Sequence, residues 1–267
     1  MATIVDPSAQ IQARKAGFLN EVAAVARRAL RATKRDPESV VPALIIPVFF
    51  FIVNVGALQD LAETLPGLDY KAFQLPVAII FAVTGISRAV TLVIDIQSGY
   101  FDRLSLTPVN RLALLVGLMV ADFALVVALT LPVIALGFIV GVRFESGVLG
   151  IIVFVLISGT WGLVYTGFPY AIAFKTGNPA AVNTSFLLFF PFAFLTTAFL
   201  PRDAMTGWLA AVAAYNPVTY LLEGLRSLLM VGWDPEALLK GLAAVFGVGV
   251  VSMSLALLAL RGRTLRR

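Results

Sequence analysis

The chain of 267 residues is 60% hydrophobic and 13% charged, with a mean hydropathy of +0.94, too little polar material to cover a water-soluble globule. It contains no cysteine and no histidine, which excludes disulfides, thiolate chemistry and zinc sites built on those ligands. The net charge of +5 is read as basic residues flanking apolar spans and meeting anionic headgroups, not as a nucleic-acid surface. A membrane-crossing helix takes about 20 apolar residues, so this length has room for about six spans, short loops and one longer arm.

Residues 1–39 read as a cytoplasmic arm. Seven Lys or Arg fall within the first 41 residues, but no short apolar core follows them as a signal peptide requires, so the arm is expected to be retained. Between Ala16 and Lys34, Phe18, Val22, Val25 and Leu30 recur at helical spacing while Arg27, Arg28, Arg31, Lys34 and Arg35 gather toward the end. That pattern predicts an amphipathic helix in the membrane interface. Such a helix is a basic topogenic anchor or, in addition, a docking element for a cytoplasmic partner. Pro37 and Pro42 then let the chain turn into the bilayer.

The first apolar run, residues 40–58, ends at a polar, acidic loop with Asp60, Glu63 and Asp69. The second, 75–94, is followed by Asp95–Arg111, DIQSGYFDRLSLTPVNR, which carries both signs of charge and is too long for a tight turn. Tyr100, Phe101, Leu104 and Leu106 offer apolar knobs there, and Asp95, Asp102 and Arg103 keep the segment at the water boundary. A short helix here fits a groove on a soluble subunit; the alternative is an ordinary interfacial loop.

The third run, 112–142, exceeds a perpendicular span, so tilt, a kink at Pro132 or an interfacial first turn is expected. Asp122 stands about a third of the way along it, a functional candidate by its depth, or a structural group near the inner leaflet that accepts hydrogen bonds or pairs with Arg88 or another bundle residue. The fourth and fifth runs are 148–174 and 182–200. Asn183, Thr184, Ser185, Thr196 and Thr197 read as packing and hydrogen-bonding residues.

Residues 201–240 stay moderately apolar but are interrupted by Pro217, Glu223, Arg226 and Pro235. A pair of short helices dipping into the outer leaflet suits this better than a seventh span. Backbone that turns within the membrane must be buried in protein or face water. Glu223 and Arg226 are three apart and can pair on a helix, and Trp208, Tyr215, Tyr220 and Trp233 suit the interface. The sixth run, 241–260, is followed by RGRTLRR.

Six spans put both termini on one side. With that side inside, fifteen Lys or Arg are cytoplasmic and five lie opposite, as positive charge is retained in the cytoplasm. The expected protein is therefore all-α, multi-pass in the inner (cytoplasmic) cell membrane with both termini cytoplasmic. It has six transmembrane helices over residues 40–267, an N-terminal interfacial helix, and an outer re-entrant hairpin before the last span. No strong internal repeat argues for a carrier built from inverted repeats.

Two stretches are similar to the type-2 ABC exporter permeases, particularly the daunorubicin-resistance-like drug and lipid export branch. They are SGYFDRLSLTPVNRLALLVG at Ser98–Gly117 and FLPRDAMTGWLAAVAAYNPVTYLLEGLRSLL at Phe199–Leu229. The second is the more specific, because P, then W, then NPVTYLLEGLR forms a long ordered string. In the first, Gln97 and Tyr100 stand where charged residues are usual. The resemblance covers nearly the whole chain.

It implies a permease that pairs with itself or a sister chain, contacts membrane lipids, and binds two cytoplasmic ATPase subunits. ATP and Mg would sit on those partners and no cofactor on this chain. Ser98, Gly99, Tyr100, Phe101, Asp102, Arg103, Leu104, Thr107 and Pro108 would form the coupling helix. Phe18, Glu21, Val22, Arg27, Arg28 and Arg31 would belong to the interface helix. Pro201, Trp208, Asn216, Pro217, Tyr220, Glu223 and Arg226 would belong to the hairpin. The sequence lacks the GxxxxGK[ST] phosphate loop, so a hydrolytic engine must come from outside. Amphiphilic drugs or lipids are the implied cargo, with polysaccharide or glycolipid export as a subsidiary option.

Two other classes compete. An intramembrane enzyme needs paired carboxylates, a Ser/His dyad or metal ligands within the spans, and Asp122 has no second deep carboxylate beside it. An ion-coupled carrier or channel would use intramembrane charges as a relay, for which the sequence offers one Asp, Asp122.

Overall fold

The computed structural model describes residues 17–34, 37–62, 68–100, 103 and 110–265. Phe101, Asp102, Leu104, Thr107 and Pro108 of the expected coupling helix lie outside them. The described residues form α1 (Phe18–Lys34), α2 (Pro37–Ala62), α3 (Tyr70–Thr84), α4 (Ala89–Gln97), α5 (Arg111–Ile139) and α6 (Gly147–Tyr165). They continue with α7 (Gly167–Thr176), α8 (Pro179–Ser185), α9 (Phe189–Phe194), α10 (Gly207–Ala213), α11 (Pro217–Met230) and α12 (Pro235–Leu265). Short 3-10 turns stand at Phe186–Leu188 and Arg202–Ala204.

Among the described residues, five stretches are long and apolar enough to cross a membrane: Val41–Asp60, Tyr70–Gln97, Leu112–Ile139, Gly147–Thr176 and Pro235–Arg263. They match five of the six expected runs, with the helices extending a few residues beyond several of them. Pro42 lies inside α2 instead of at a turn before it. The second stretch is α3 and α4 joined across Gly85–Arg88, and the fourth is α6 and α7 meeting at Thr166.

The run 182–200 departs from the expected single helix. Its helical part is Pro179–Phe194, and residues 195–200 are bent. Sixteen residues at 1.5 Å each reach about 24 Å, short of the roughly 30 Å hydrocarbon core. The local cause is side-chain competition for the backbone. Thr196 Oγ donates to Ala193 O at 2.7 Å and accepts from Ala198 N at 3.1 Å, which closes a turn where the helix would continue.

Burial of apolar faces organises the rest into two stacked cores. One gathers Leu75 and Ile80 of α3, Val126 and Val133 of α5, Phe154 and Trp161 of α6, and Leu221 and Leu225 of α11. The other gathers Val93 of α4, Leu115 and Leu118 of α5, Tyr170 and Phe174 of α7, and Leu260 of α12. Between them runs a polar seam with Arg88, Asp122, Thr166 and Ser252, all buried. Ser252 Oγ donates to Val164 O across it.

The seam also holds a close backbone crossing. A Cβ on Gly167 would stand 2.7 Å from the Ser252 carbonyl carbon, so α7 and α12 touch there without a side chain between them.

The interface helix α1 presents Val22, Ala26 and Ala29 as its buried stripe, with Val25 beside them, the i, i+3, i+4, i+7 spacing of one helix face. It lies against α5 where Gly117 leaves room: an added Cβ would be 2.6 Å from Val25 Cβ. Phe18, expected on this face, is 42% exposed.

Candidate functional site

One face of α1 holds both ends of the segment that joins α4 to α5. Arg28 donates to both carboxylate oxygens of Asp95, at 2.9 and 3.2 Å, and its guanidinium carbon lies 4.2 Å from the Tyr100 ring centroid. Seven residues earlier, the buried Glu21 accepts from Asn110 N at 2.9 Å. Asn110 Oδ1 in turn accepts from Leu112 N at 2.9 Å and so caps α5.

Seven residues are two helical turns, so Glu21 and Arg28 sit on the same face about 10 Å apart. The half-exposed Arg28–Asp95 pair is worth at most about 1 kcal/mol; both of its bonds come from one guanidinium nitrogen, and it positions more than it stabilises. Gly99 has a φ of +71°, which suits glycine where α4 gives way to the segment. Gln97 Nε2 donates to Gly177 O at 2.9 Å, tying this end to α7 as well. Ser98 and Arg103 bond locally, to Asp95 O and to Ser98 O and Gly99 O. Arg27 and Arg31 are exposed.

At the seam, the structure places Arg88 and Asp122 together. Asp122 is fully buried: its Oδ1 accepts from Arg88 N at 3.2 Å and lies 3.6 Å from Arg88 Nε, and its Oδ2 accepts from Tyr170 OH at 2.6 Å. Arg88 Nε is within ion-pair range but makes no hydrogen bond. A terminal nitrogen of Arg88 donates to Thr33 Oγ of α1. The buried anion is thus matched by one cation and two donors, which a charge in an apolar interior requires. This one node joins α1, α4, α5 and α7.

At the far end of the bundle from α1, the bent backbone after α9 is held by side chains from distant helices. Arg226 donates to Thr197 O at 2.8 Å, to Thr197 Oγ at 3.0 Å and to Phe73 O at 3.0 Å. Its guanidinium lies over the Phe73 ring. Gln74 donates to Ala198 O at 2.9 Å and Tyr70 OH to Phe199 O at 3.4 Å. Asn216 donates to Phe192 O at 2.7 Å and Leu195 O at 2.8 Å, and its Oδ1 caps α11 at Val218 N.

The expected Glu223–Arg226 pair does not form. Arg226 is committed to carbonyl and hydroxyl oxygens, and Glu223 has no ion pair with it among the described residues.

α11 runs antiparallel along the start of α12: a Cβ on Gly224 would be 3.0 Å from Ala237 O, and one on Gly241 would be 3.1 Å from Tyr220 O. Its last turn accepts Glu145 N and Ser146 N at 3.2 Å, on the loop between α5 and α6. Pro217 takes the first position of α11, where its missing N–H costs nothing. Tyr220 OH donates to Ala214 O at 2.6 Å. Trp208 is 70% exposed, and Pro201 precedes the 3-10 turn.

Thr33, Tyr70, Gln74 and Tyr170 are polar members of these clusters that sequence reasoning missed. Gln74 alone carries a signal, as an amide at the start of an apolar run. The two tyrosines are indistinguishable in sequence from belt aromatics. Among the described residues no group of three His, Cys, Asp or Glu could hold a metal ion.

Comparison with known proteins accords with this architecture. The family description "ABC-2 type transporter" matches residues 20–230. The daunorubicin resistance ABC transporter permease protein DrrB1 of Streptomyces coeruleorubidus is 28% identical over 232 residues, covering 82% of this chain and 80% of that one. The probable doxorubicin resistance ABC transporter permease protein DrrC of Mycobacterium tuberculosis is 25% identical over 249 residues, covering 92% and 89%. A putative transport permease, ycf38, of Cyanophora paradoxa is 25% identical over 221 residues, covering 79% and 74%. With a matched region that begins in α1, takes in the segment α1 holds, and ends with α11, the chain belongs to the ABC-2 type transporter family as the multi-pass permease of an ABC exporter, which binds no cofactor itself and leaves ATP hydrolysis to a separate subunit.

Proposed function

We propose that this permease moves amphiphilic molecules, drug-like compounds or lipids, outward across the cytoplasmic membrane. Residues 1–39 form a cytoplasmic arm and residues 40–267 the transmembrane unit, with both termini inside. Two permease chains, identical or sister, enclose the path, and an ATPase subunit docks beneath each. The cargo class is carried over from relatives whose names tie them to daunorubicin and doxorubicin resistance.

The observation that carries the mechanism is the grip of α1 on the segment after α4. Ser98–Pro108 acts as the coupling helix, and Arg28 and Glu21 hold the residues that flank it, Asp95 and Asn110, on one face of α1. A push on Tyr100 is therefore passed to Arg28 and α1 together with Asp95 and α4. From α1 it reaches α5 through the Gly117 contact, and Arg88 and Asp122 through Thr33.

The chain crosses a sixth time through Pro179–Phe194 and the bent residues after it, and α10 with α11 forms a re-entrant hairpin on the outer side. Two features support this: the carbonyls of the bent stretch are taken by buried side chains, as non-helical backbone at membrane depth requires, and α11 runs beside only the start of α12.

The test is co-purification with the ATPase encoded beside the gene, followed by ATPase assays in nanodiscs. We expect a stable complex with the wild-type chain. Its assembly or coupled hydrolysis should collapse in Phe101→Asp/Leu104→Asp and weaken in Arg28→Ala, and doxorubicin should stimulate wild-type hydrolysis. Failure of any ATPase to associate with well-folded wild type across several lipids would overturn this coupling.

A further inference from the structure

An open groove of about 810 Å³ runs between α7 and α12 at the α1 end of the molecule, and nothing in the coupling path uses it. Its walls include Phe168 and Ile172 on α7 and Leu255 and Leu258 on α12, and its mouth is marked by Lys175 and Arg263. Leu255 and Leu258 are 44% and 63% exposed, so the α12 wall faces outward from the bundle.

The dimensions suit one leaflet. Phe168 lies seven residues from Lys175 and Leu255 eight from Arg263, about 10 and 12 Å along the helix axes at 1.5 Å per residue. Half of a roughly 30 Å hydrocarbon core is about 15 Å. The cations therefore stand near headgroup level while the apolar walls descend toward the seam. Arg263 is fixed at this height by a 3.2 Å hydrogen bond to Phe174 O, its Nε is buried without a partner, and Lys175 is exposed. Among the described residues, no carboxylate lines the groove to neutralise the pair.

We infer that this groove holds one anionic phospholipid, with an acyl chain along the α7 and α12 walls and the phosphate between Lys175 and Arg263. The charge at the mouth selects the occupant: two cations without an acidic neighbour favour a lipid with net negative charge over a zwitterionic one. A second copy of this chain fits less well, because a two-fold contact through the groove sets like charge against like. The inference needs only a membrane on both sides of α7 and α12, and is independent of cargo and of the ATPase.

Native mass spectrometry of the full chain, purified from membranes with equal phosphatidylglycerol and phosphatidylcholine, tests it. Wild type should retain phosphatidylglycerol in preference to phosphatidylcholine. Lys175→Gln/Arg263→Gln should lose that preference, while Lys71→Gln/Arg143→Gln, which removes the same charge at the far end, should keep it. If the Arg263 substitution impairs folding, the exposed Lys175→Gln alone should still reduce the preference. The proposal is overturned by no preference in wild type, by equal losses in both charge variants, or by efficient disulfide cross-linking of two Leu258→Cys chains in the membrane.

Discussion

Arg226 donates three hydrogen bonds, two of them to the carbonyls of residues 73 and 197, and a lysine has a single nitrogen to replace that planar fork. Arg226→Lys should leave at least one buried carbonyl unpaired and lower stability by about 1–3 kcal/mol. Glu223→Gln should cost less than Arg226→Lys, since Glu223 makes no ion pair with Arg226 and acts on it only at longer range. Thermal unfolding in detergent reads both; equal melting temperatures for wild type and Arg226→Lys would remove the role given to Arg226. At the seam, Asp122→Leu strands Arg88 and should cost about 3–5 kcal/mol, the usual penalty for breaking one side of a buried pair. Asp122→Asn keeps an oxygen for Tyr170 and should cost less, and adding Arg88→Met to Asp122→Leu should recover part of the loss. A double variant no more stable than Asp122→Leu would argue against this account.

Among the elements, the close crossing of α7 and α12 at Gly167 meets backbone atoms, which cannot rotate away. Gly167→Ala should therefore separate the two helices and destabilise by about 1–3 kcal/mol, as overpacking does. Gly247→Ala, with nothing within 4 Å of its added Cβ, should be neutral or gain up to about 1 kcal/mol from helix propensity. A melting series of the two alanines decides it, and the opposite order would mean that the crossing is loose.

Most long helices were legible in the sequence because hydrocarbon demands about 20 apolar residues in a row, and α1 was legible through its basic, amphipathic period. The breaks were not. Gly85–Arg88 and Thr166 have apolar flanks on both sides, and Arg88 N finds Asp122 Oδ1 34 residues away. The run 182–200 failed for the same reason. Phe192 to Phe199 look like more lipid-facing helix until Arg226, Gln74, Tyr70 and Asn216 supply donors from elsewhere in the chain. Of the candidate site, Glu21 and Arg28 were named as members of the interface helix, but their contacts to Asn110 and Asp95 arise only in the fold.

For the whole molecule, the absence of cysteine makes single-cysteine mapping clean. If both termini are inside and Pro179–Phe194 crosses, as proposed, Lys175→Cys should react with a membrane-impermeant maleimide from the cytoplasmic face. Met205→Cys and Glu145→Cys should react from the outside. Labelling of positions 175 and 205 from the same face would eliminate the sixth crossing.

The stacked cores bear on how such a bundle can bend. α5 and α12 pass through both layers unbroken, while the second and fourth long stretches are interrupted at the seam. Of the four long stretches that reach both cores, two are therefore continuous struts, α5 with Pro132 inside it, and two are jointed at one height, while α2 gives Phe51 to the first core. A load applied at the α1 end can tilt the adjacent layer about those struts instead of driving a piston stroke through the full thickness of the membrane.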